Sequence, residues 1–153
     1  MSIEAKLAAL GLKLHEAPKP VAAYVPCVRT GNLVFVSGQL PSTAGKLLAV
    51  GKVPSQVTPE QAREAAAQCV LNGLSILKAE LGGDLSKLRR VVRLGAFVQS
   101  DDGYKDQPLI VNGASELLDK LLGDAGKHAR AAVGVNALPL GAAVEIEFVF
   151  EVE

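Results

Sequence analysis

One arginine stands alone in a run of small residues, His128-Ala129-Arg130-Ala131-Ala132-Val133-Gly134-Val135. A turn follows, Leu138-Pro139-Leu140-Gly141, and then Val144-Glu145-Ile146-Glu147. A guanidinium grips a carboxylate through two parallel N–H donors. A neighbouring carboxylate can orient or activate a water. Arg130 and Glu145 therefore carry the chemistry of a small-molecule site that needs neither metal nor cofactor. The short connection predicts that their strands form a hairpin. Such a hairpin would bring Arg130 close to the face of Glu145 and Glu147, within a residue or two of register. The plainer readings are an arginine paired to a carboxylate inside the sheet and two solvated glutamates.

Other reactive side chains offer less. His15 and His128 lie far apart and neither has a partner at metal-ligand spacing, so no metal site is expected. Cys27 and Cys69 lack Cys-x-x-Cys spacing and an obvious base; two reduced, mostly buried thiols are expected. Ser37, in Val36-Ser37-Gly38-Gln39, ends a strand without the Gly-x-Ser-x-Gly elbow, because Phe35 precedes it by two. A structural serine is the ordinary reading. Arg89, Arg90 and Arg93 read as a solvated strand edge. Asn112, near the start of a helix, suits either a turn cap or a ligand contact. Neither common phosphate-cradling loop is present.

The elements that must position these residues follow from pattern. Ser2 caps a short helix with Ile3, Leu7 and Leu10 on one face, ended by Gly11. Pro18 and Pro20 make the next segment an extended linker. Tyr24 to Arg29 and Leu33 to Gly38 read as strands around a Thr30-Gly31-Asn32 turn. Thr58-Pro59-Glu60-Gln61 is a capping box with proline in the first turn. An apolar stripe then recurs at helical spacing to Leu81, and Gly82-Gly83 stops it. Arg90 to Val98 reads as a buried strand, Pro108 to Leu122 as a second helix, and Ala129 to Val135 as a strand. Ala143 to Val152 alternates strictly, with Val144, Ile146, Phe148, Phe150 and Val152 on one face. The strand–helix–strand order invites a crossover with parallel pairing. The expected class is α+β: a mixed sheet with two helices packed on one face, plus a short N-terminal helix. The whole of 1–153 reads as one domain, of which 1–20 is the N-terminal helix and linker.

Composition narrows the function classes. Lys plus Arg is 16 and Asp plus Glu is 16, so the formal charge is zero. Nucleic-acid binding leans on excess Lys and Arg, which makes a nucleic-acid partner an unfavoured expectation. No stretch approaches ~18 uninterrupted apolar residues, and the first residues hold no signal-peptide core, so the expected location is the cytoplasm without a membrane partner. Two helices cover only one face of the sheet. The other face is left bare, and homo-oligomerisation is the simplest cover.

Together these segments resemble the RidA family, also called YjgF, with the older label endoribonuclease L-PSP. The resemblance runs from about Ala23 to Glu153. It rests on Ala129-Arg130, Leu138-Pro139, Val144-Glu145-Ile146-Glu147, the fifteen-residue spacing from Arg130 to Glu145, and Val36-Ser37-Gly38-Gln39-Leu40-Pro41. It implies a chorismate-mutase-like subunit, a homotrimer with clefts between subunits, and no cofactor. It also implies hydrolysis of imines or enamines such as 2-iminobutanoate and 2-iminopropanoate to 2-keto acids and ammonia. Arg130 would hold the substrate carboxylate and Glu145 would position water. Tyr24, Ser37, Gly38 and Asn112 would line the cleft. RNA cleavage and non-catalytic binding of a small carboxylate are the alternatives. Ala132 stands where deaminase members commonly carry cysteine, and Ala22-Ala23-Tyr24 replaces Gly-Pro-Tyr. The N-terminal helix and a longer stretch around 44–55 are further departures, so the chain resembles a divergent subgroup.

Overall fold

Capping chemistry decides where the helices begin. In the computed structural model, which describes residues 1–20 and 22–153, the Ser2 hydroxyl accepts the Ala5 N–H at 3.1 Å and starts α1 (Ile3–Ala9). Leu7 is its buried residue; Leu10, expected on the same face, lies past the helix end and is exposed. The first strand, β1 (Cys27–Thr30), starts later than Tyr24. Pro26 has no N–H to give a ladder, so pairing begins after it. Gly31 takes a positive φ of 57° in the turn to β2 (Leu33–Gln39). The stretch after it folds into a separate two-stranded ladder, β3 (Ser42–Thr43) and β4 (Lys46–Leu47).

Thr58 then caps α2 (Pro59–Glu80) through both bonds of a capping box, at 3.1 and 3.0 Å. The chain continues as β5 (Leu88–Gln99), α3 (Gln107–Leu122), β6 (Ala129–Val135) and β7 (Val144–Val152). The five-stranded sheet runs β1-β2-β7-β5-β6. Only β5 and β6 pair in parallel; the other neighbours are antiparallel.

Two expectations of pairing are corrected by this order. The strands flanking α2 do not pair, because β7 lies between β2 and β5. The hairpin of β6 with β7 does not form either, because β5 separates them. The long strand β5, largely buried from Leu94 to Gln99, takes β6 on one side and β7 on the other. A hairpin would have moved β7 to the outer edge of β6 and left β5 without that partner.

The alternation of β7 aims Val144, Ile146, Phe148, Phe150 and Val152 at the helices, all essentially buried. Phe148 and Phe150 stack with ring centroids 5.5 Å apart. A Cβ at Gly73 of α2 would come within 2.8 Å of the Phe148 ring. That close approach explains a glycine inside a helix, where it otherwise costs about 1 kcal/mol relative to alanine. At Gly113 of α3, a Cβ would collide with the backbone carbonyl of Arg63 on α2. The opposite face carries a row across all five strands, Val28, Phe35, Val149, Arg93 and Ala129, matched by register. Val28, Phe35 and, on β6, Val133 remain exposed there. Among the described residues, no helix is long and apolar enough to cross a membrane.

Candidate functional site

The residues expected to act together fall into two separate corners. Arg130 sits on β6, an edge strand, opposite the buried Leu94. Its side chain therefore points to the helix face. There Nη1 donates to Ser115 Oγ at 3.0 Å and Nη2 donates to the Pro108 carbonyl at 3.2 Å, both on α3. Among the described residues Arg130 forms no salt bridge. Both oxygens that hold it are neutral, so among the described residues no carboxylate pairs with its charge. Asn112 lies on the same strip of α3, since positions 108, 112 and 115 recur at helical spacing. It is the sixth residue of that helix and so is not a cap.

Glu145 sits on β7 with its side chain on the open face, opposite Phe97. Arg130 and Glu145 thus face opposite sides of the sheet. Leu94 stands opposite both Arg130 and Phe148, which sets Glu145 three residues further along and two strands away. This is about 10 Å along the strands and about 10 Å across them. The expected meeting of the two residues within one chain does not occur. The small residues of β6 carry no polar alternation that could have revealed which way Arg130 points.

The Glu145 corner holds Gly38, which leads in turn to Ser37 and Tyr24. A Cβ on Gly38 would run into Glu145 Oε1, so the carboxylate lies directly over that glycine. Gly38 falls in a register shift between Val36 and Gln39, where β2 bulges against β7. The preceding Ser37 donates its hydroxyl to the Val25 carbonyl at 2.8 Å and its N–H to the Pro26 carbonyl at 2.9 Å. It ties down the segment that carries Tyr24. Tyr24 and Gly38 line a cavity of about 590 Å³, with Gln39, Leu40 and Asn72 and the linker residues His15 to Pro20. Arg130, Glu145, Ser37 and Asn112 do not line it.

Burial raises the Glu145 carboxyl above its ordinary value, and the Glu147 charge adds to the rise. Glu147 itself pairs loosely with Arg93, at 3.6 Å, whereas Glu145 pairs with no cation among the described residues. Both thiols are held away from the thiolate form, Cys69 in full burial and Cys27 half-buried. Burial, then the Glu80 charge, pushes Cys27 up to about 11, and burial pushes Cys69 up further.

Two residues next to Arg130 were missed by sequence reasoning. Ser115 Oγ lies 2.9 Å from His128 Nε2, and His128 Nδ1 lies 2.6 Å from the Gly126 carbonyl. The signal for His128 was available: it precedes Arg130 by two, and residues at that spacing share a strand face.

Comparison with known proteins agrees with this architecture. A family model described as "YjgF/chorismate mutase-like, putative endoribonuclease" matches residues 4–152. Protein TCP17 of Trypanosoma cruzi is 40% identical over 150 residues, covering 97% of this chain and 93% of that protein. A 2-iminobutanoate/2-iminopropanoate deaminase of Dermatophagoides farinae is 28% identical over 137 residues, covering 90% and 91%. The crystal structure of Atu1372 from Agrobacterium tumefaciens, a protein described as having unknown function, superposes with a TM-score of 0.93. It is 46% identical, covering 99% of this chain and 92% of that one.

Proposed function

Because the chain belongs to the YjgF/RidA/RutC family, as a divergent member beside TCP17 and Atu1372, we propose that it hydrolyses carboxylate-bearing imines or their enamine tautomers to 2-keto acids and ammonia. The observation that carries this reading is the guanidinium of Arg130, paired with no carboxylate among the described residues and held by two neutral oxygens with donors to spare. The 2-iminobutanoate/2-iminopropanoate deaminase among its relatives supplies the substrate class.

The site is completed between copies of the chain, assembled as a homotrimer. Arg130 of one copy and Glu145 of its neighbour face a shared cleft, because one chain alone aims them to opposite sides of its sheet. The exposed Val28, Phe35 and Val133 on the open face support such an assembly. Arg130 grips the substrate carboxylate in a planar, two-pronged contact. Asn112 lies on the same helical strip. Tyr24, Ser37 and Gly38 shape the opposite wall. Glu145 takes a proton from water as the water oxygen adds to the imine carbon and the C=N π bond opens, and it hands that proton to the nitrogen. As the carbinolamine collapses, its hydroxyl proton passes through Glu145 to the nitrogen, the C–N bond breaks, and ammonia leaves the keto acid behind. A carboxyl raised by burial holds a proton more strongly, which suits it to this acid–base role. The imine is already electrophilic, so positioning supplies much of the remaining rate. No metal or organic cofactor takes part.

The test is a coupled assay in which 2-iminobutanoate is generated in situ and its loss is followed with and without the protein. Acceleration is expected. An unchanged rate, with keto acid still bound, would turn the reading toward a carboxylate-binding module.

A further inference from the structure

The groups behind Arg130 form a hydrogen-bonded chain that the proposed chemistry does not use. The Gly126 carbonyl can only accept, so His128 Nδ1 donates to it across 2.6 Å. In a neutral imidazole the other nitrogen is then an acceptor. Nε2 of the neutral ring then accepts the Ser115 hydroxyl, the two atoms lying 2.9 Å apart. With its proton committed to His128, Ser115 Oγ accepts from Arg130 Nη1 at 3.0 Å. Arg130 Nη2 is held separately by the Pro108 carbonyl at 3.2 Å. Each terminal nitrogen thus has one anchored N–H, which fixes the plane of the guanidinium. Of its five donors, two are used, and three remain for a ligand.

We propose that His128 and Ser115 are positioning residues for Arg130, holding its guanidinium flat against α3 so that the unused donors meet a ligand carboxylate already aligned. The inference rests on the reading of Arg130 as the carboxylate anchor. A free arginine side chain loses much rotamer freedom when it binds; one fixed in advance loses less. The polarity of the chain matters. Because the Ser115 hydroxyl donates to His128, its oxygen is left to accept from Arg130.

The test uses the full-length protein and four variants: Ser115→Ala, Ser115→Thr, His128→Asn and His128→Gln. Two readouts are taken on each: calorimetric affinity for 2-oxobutanoate, and the guanidinium signals of Arg130 in ¹⁵N-arginine-labelled protein. Ser115→Ala should weaken binding about 2- to 13-fold, the loss of one net hydrogen bond, and should remove the restricted Nη signals. Ser115→Thr keeps a hydroxyl and should recover both. His128→Asn keeps a donor toward Gly126 but cannot reach Ser115, so it should behave like Ser115→Ala. His128→Gln reaches Ser115 and should lose less. Wild-type affinity and unchanged Arg130 signals in a folded Ser115→Ala protein would overturn the proposal. If no variant, nor the wild type, binds the keto acid while the Arg130 signals still depend on Ser115 and His128, the positioning pair stands and the carboxylate reading falls.

Discussion

At the edge of the sheet, Arg130 is held from behind by α3 through Ser115 and Pro108; further in, Glu145 lies over Gly38 and pairs with no cation among the described residues. The first corner fixes a charge in place and leaves its outward donors free. The second holds a carboxylate in partial burial beside a like charge, which raises its proton affinity. Rigid donors suit binding, and a raised carboxyl suits proton transfer. The contrast teaches that the two corners should fail in different ways when altered.

The largest effect is expected at the proton-transfer corner. Glu145→Gln keeps the shape but cannot take a proton, so turnover should fall about 100-fold or more while keto-acid binding persists. Turnover measured beside calorimetric affinity separates the two; equal loss of both would erase the contrast. At the binding corner, Arg130→Lys should fail almost as badly as Arg130→Ala. Lysine keeps the charge but loses the planar contact. A charge-assisted bond of about 1.5–3 kcal/mol corresponds to a loss of about 10- to 150-fold in affinity or turnover efficiency. An Arg130→Lys protein that binds like wild type would reduce the arginine to a point charge.

Much of the frame behind these corners was legible in the sequence. Thr58, Pro59 and Gln61 announced α2, and both bonds of the capping box form. The alternation of β7 named its buried face residue by residue. Pairing was less legible. A short link between two strands looks like a hairpin whether or not a third strand lies between them, and β5 does. The facing of Arg130 was hidden because Ala129, Ala131, Ala132 and Val133 suit either side. Ser115 carries no signal in the sequence; only tertiary packing brings it to Arg130. Gly38 was readable as a strand-end glycine, but the carboxylate that excludes a Cβ there was not.

That glycine gives a smaller test of the same contrast. Gly38→Ala should displace the flexible end of Glu145, lowering turnover by roughly tenfold with little change in stability, since only a side-chain tip must move. Gly113→Ala acts on the other corner, because its Cβ would push α3 away from the Arg63 backbone. Overpacking of this kind costs about 1–3 kcal/mol and should lower Tm by several degrees in a melting experiment. Keto-acid affinity should weaken with it, since α3 carries both oxygens that hold Arg130.

The smallest effect concerns pH. The native Glu145 carboxyl is raised above the ordinary 4.5, so the native state binds its proton more tightly than the unfolded chain does. Stability therefore falls as pH rises through the native value, and the cost is absent below the ordinary one. Glu145→Gln removes that cost. In an Arg130→Ala background, which takes the neighbour's cation out of the cleft, denaturant midpoints should show the Glu145→Gln variant at least as stable as its parent at neutral pH, with the difference shrinking as pH falls toward 4.5. A variant less stable at neutral pH would point to a structural role for the carboxylate.

The claim that the two corners meet only between copies is tested most directly by mixing two inactive chains. Arg130→Ala and Glu145→Gln would each be assayed alone and after co-assembly, following loss of 2-iminobutanoate generated in situ. Each variant alone should be nearly inactive. In randomly mixed trimers a cleft receives an intact Glu145 from one copy and an intact Arg130 from its neighbour about one time in four, so activity should return to about a quarter of wild type. Mixed assemblies that stay as inactive as the separate variants would contradict a site shared between subunits.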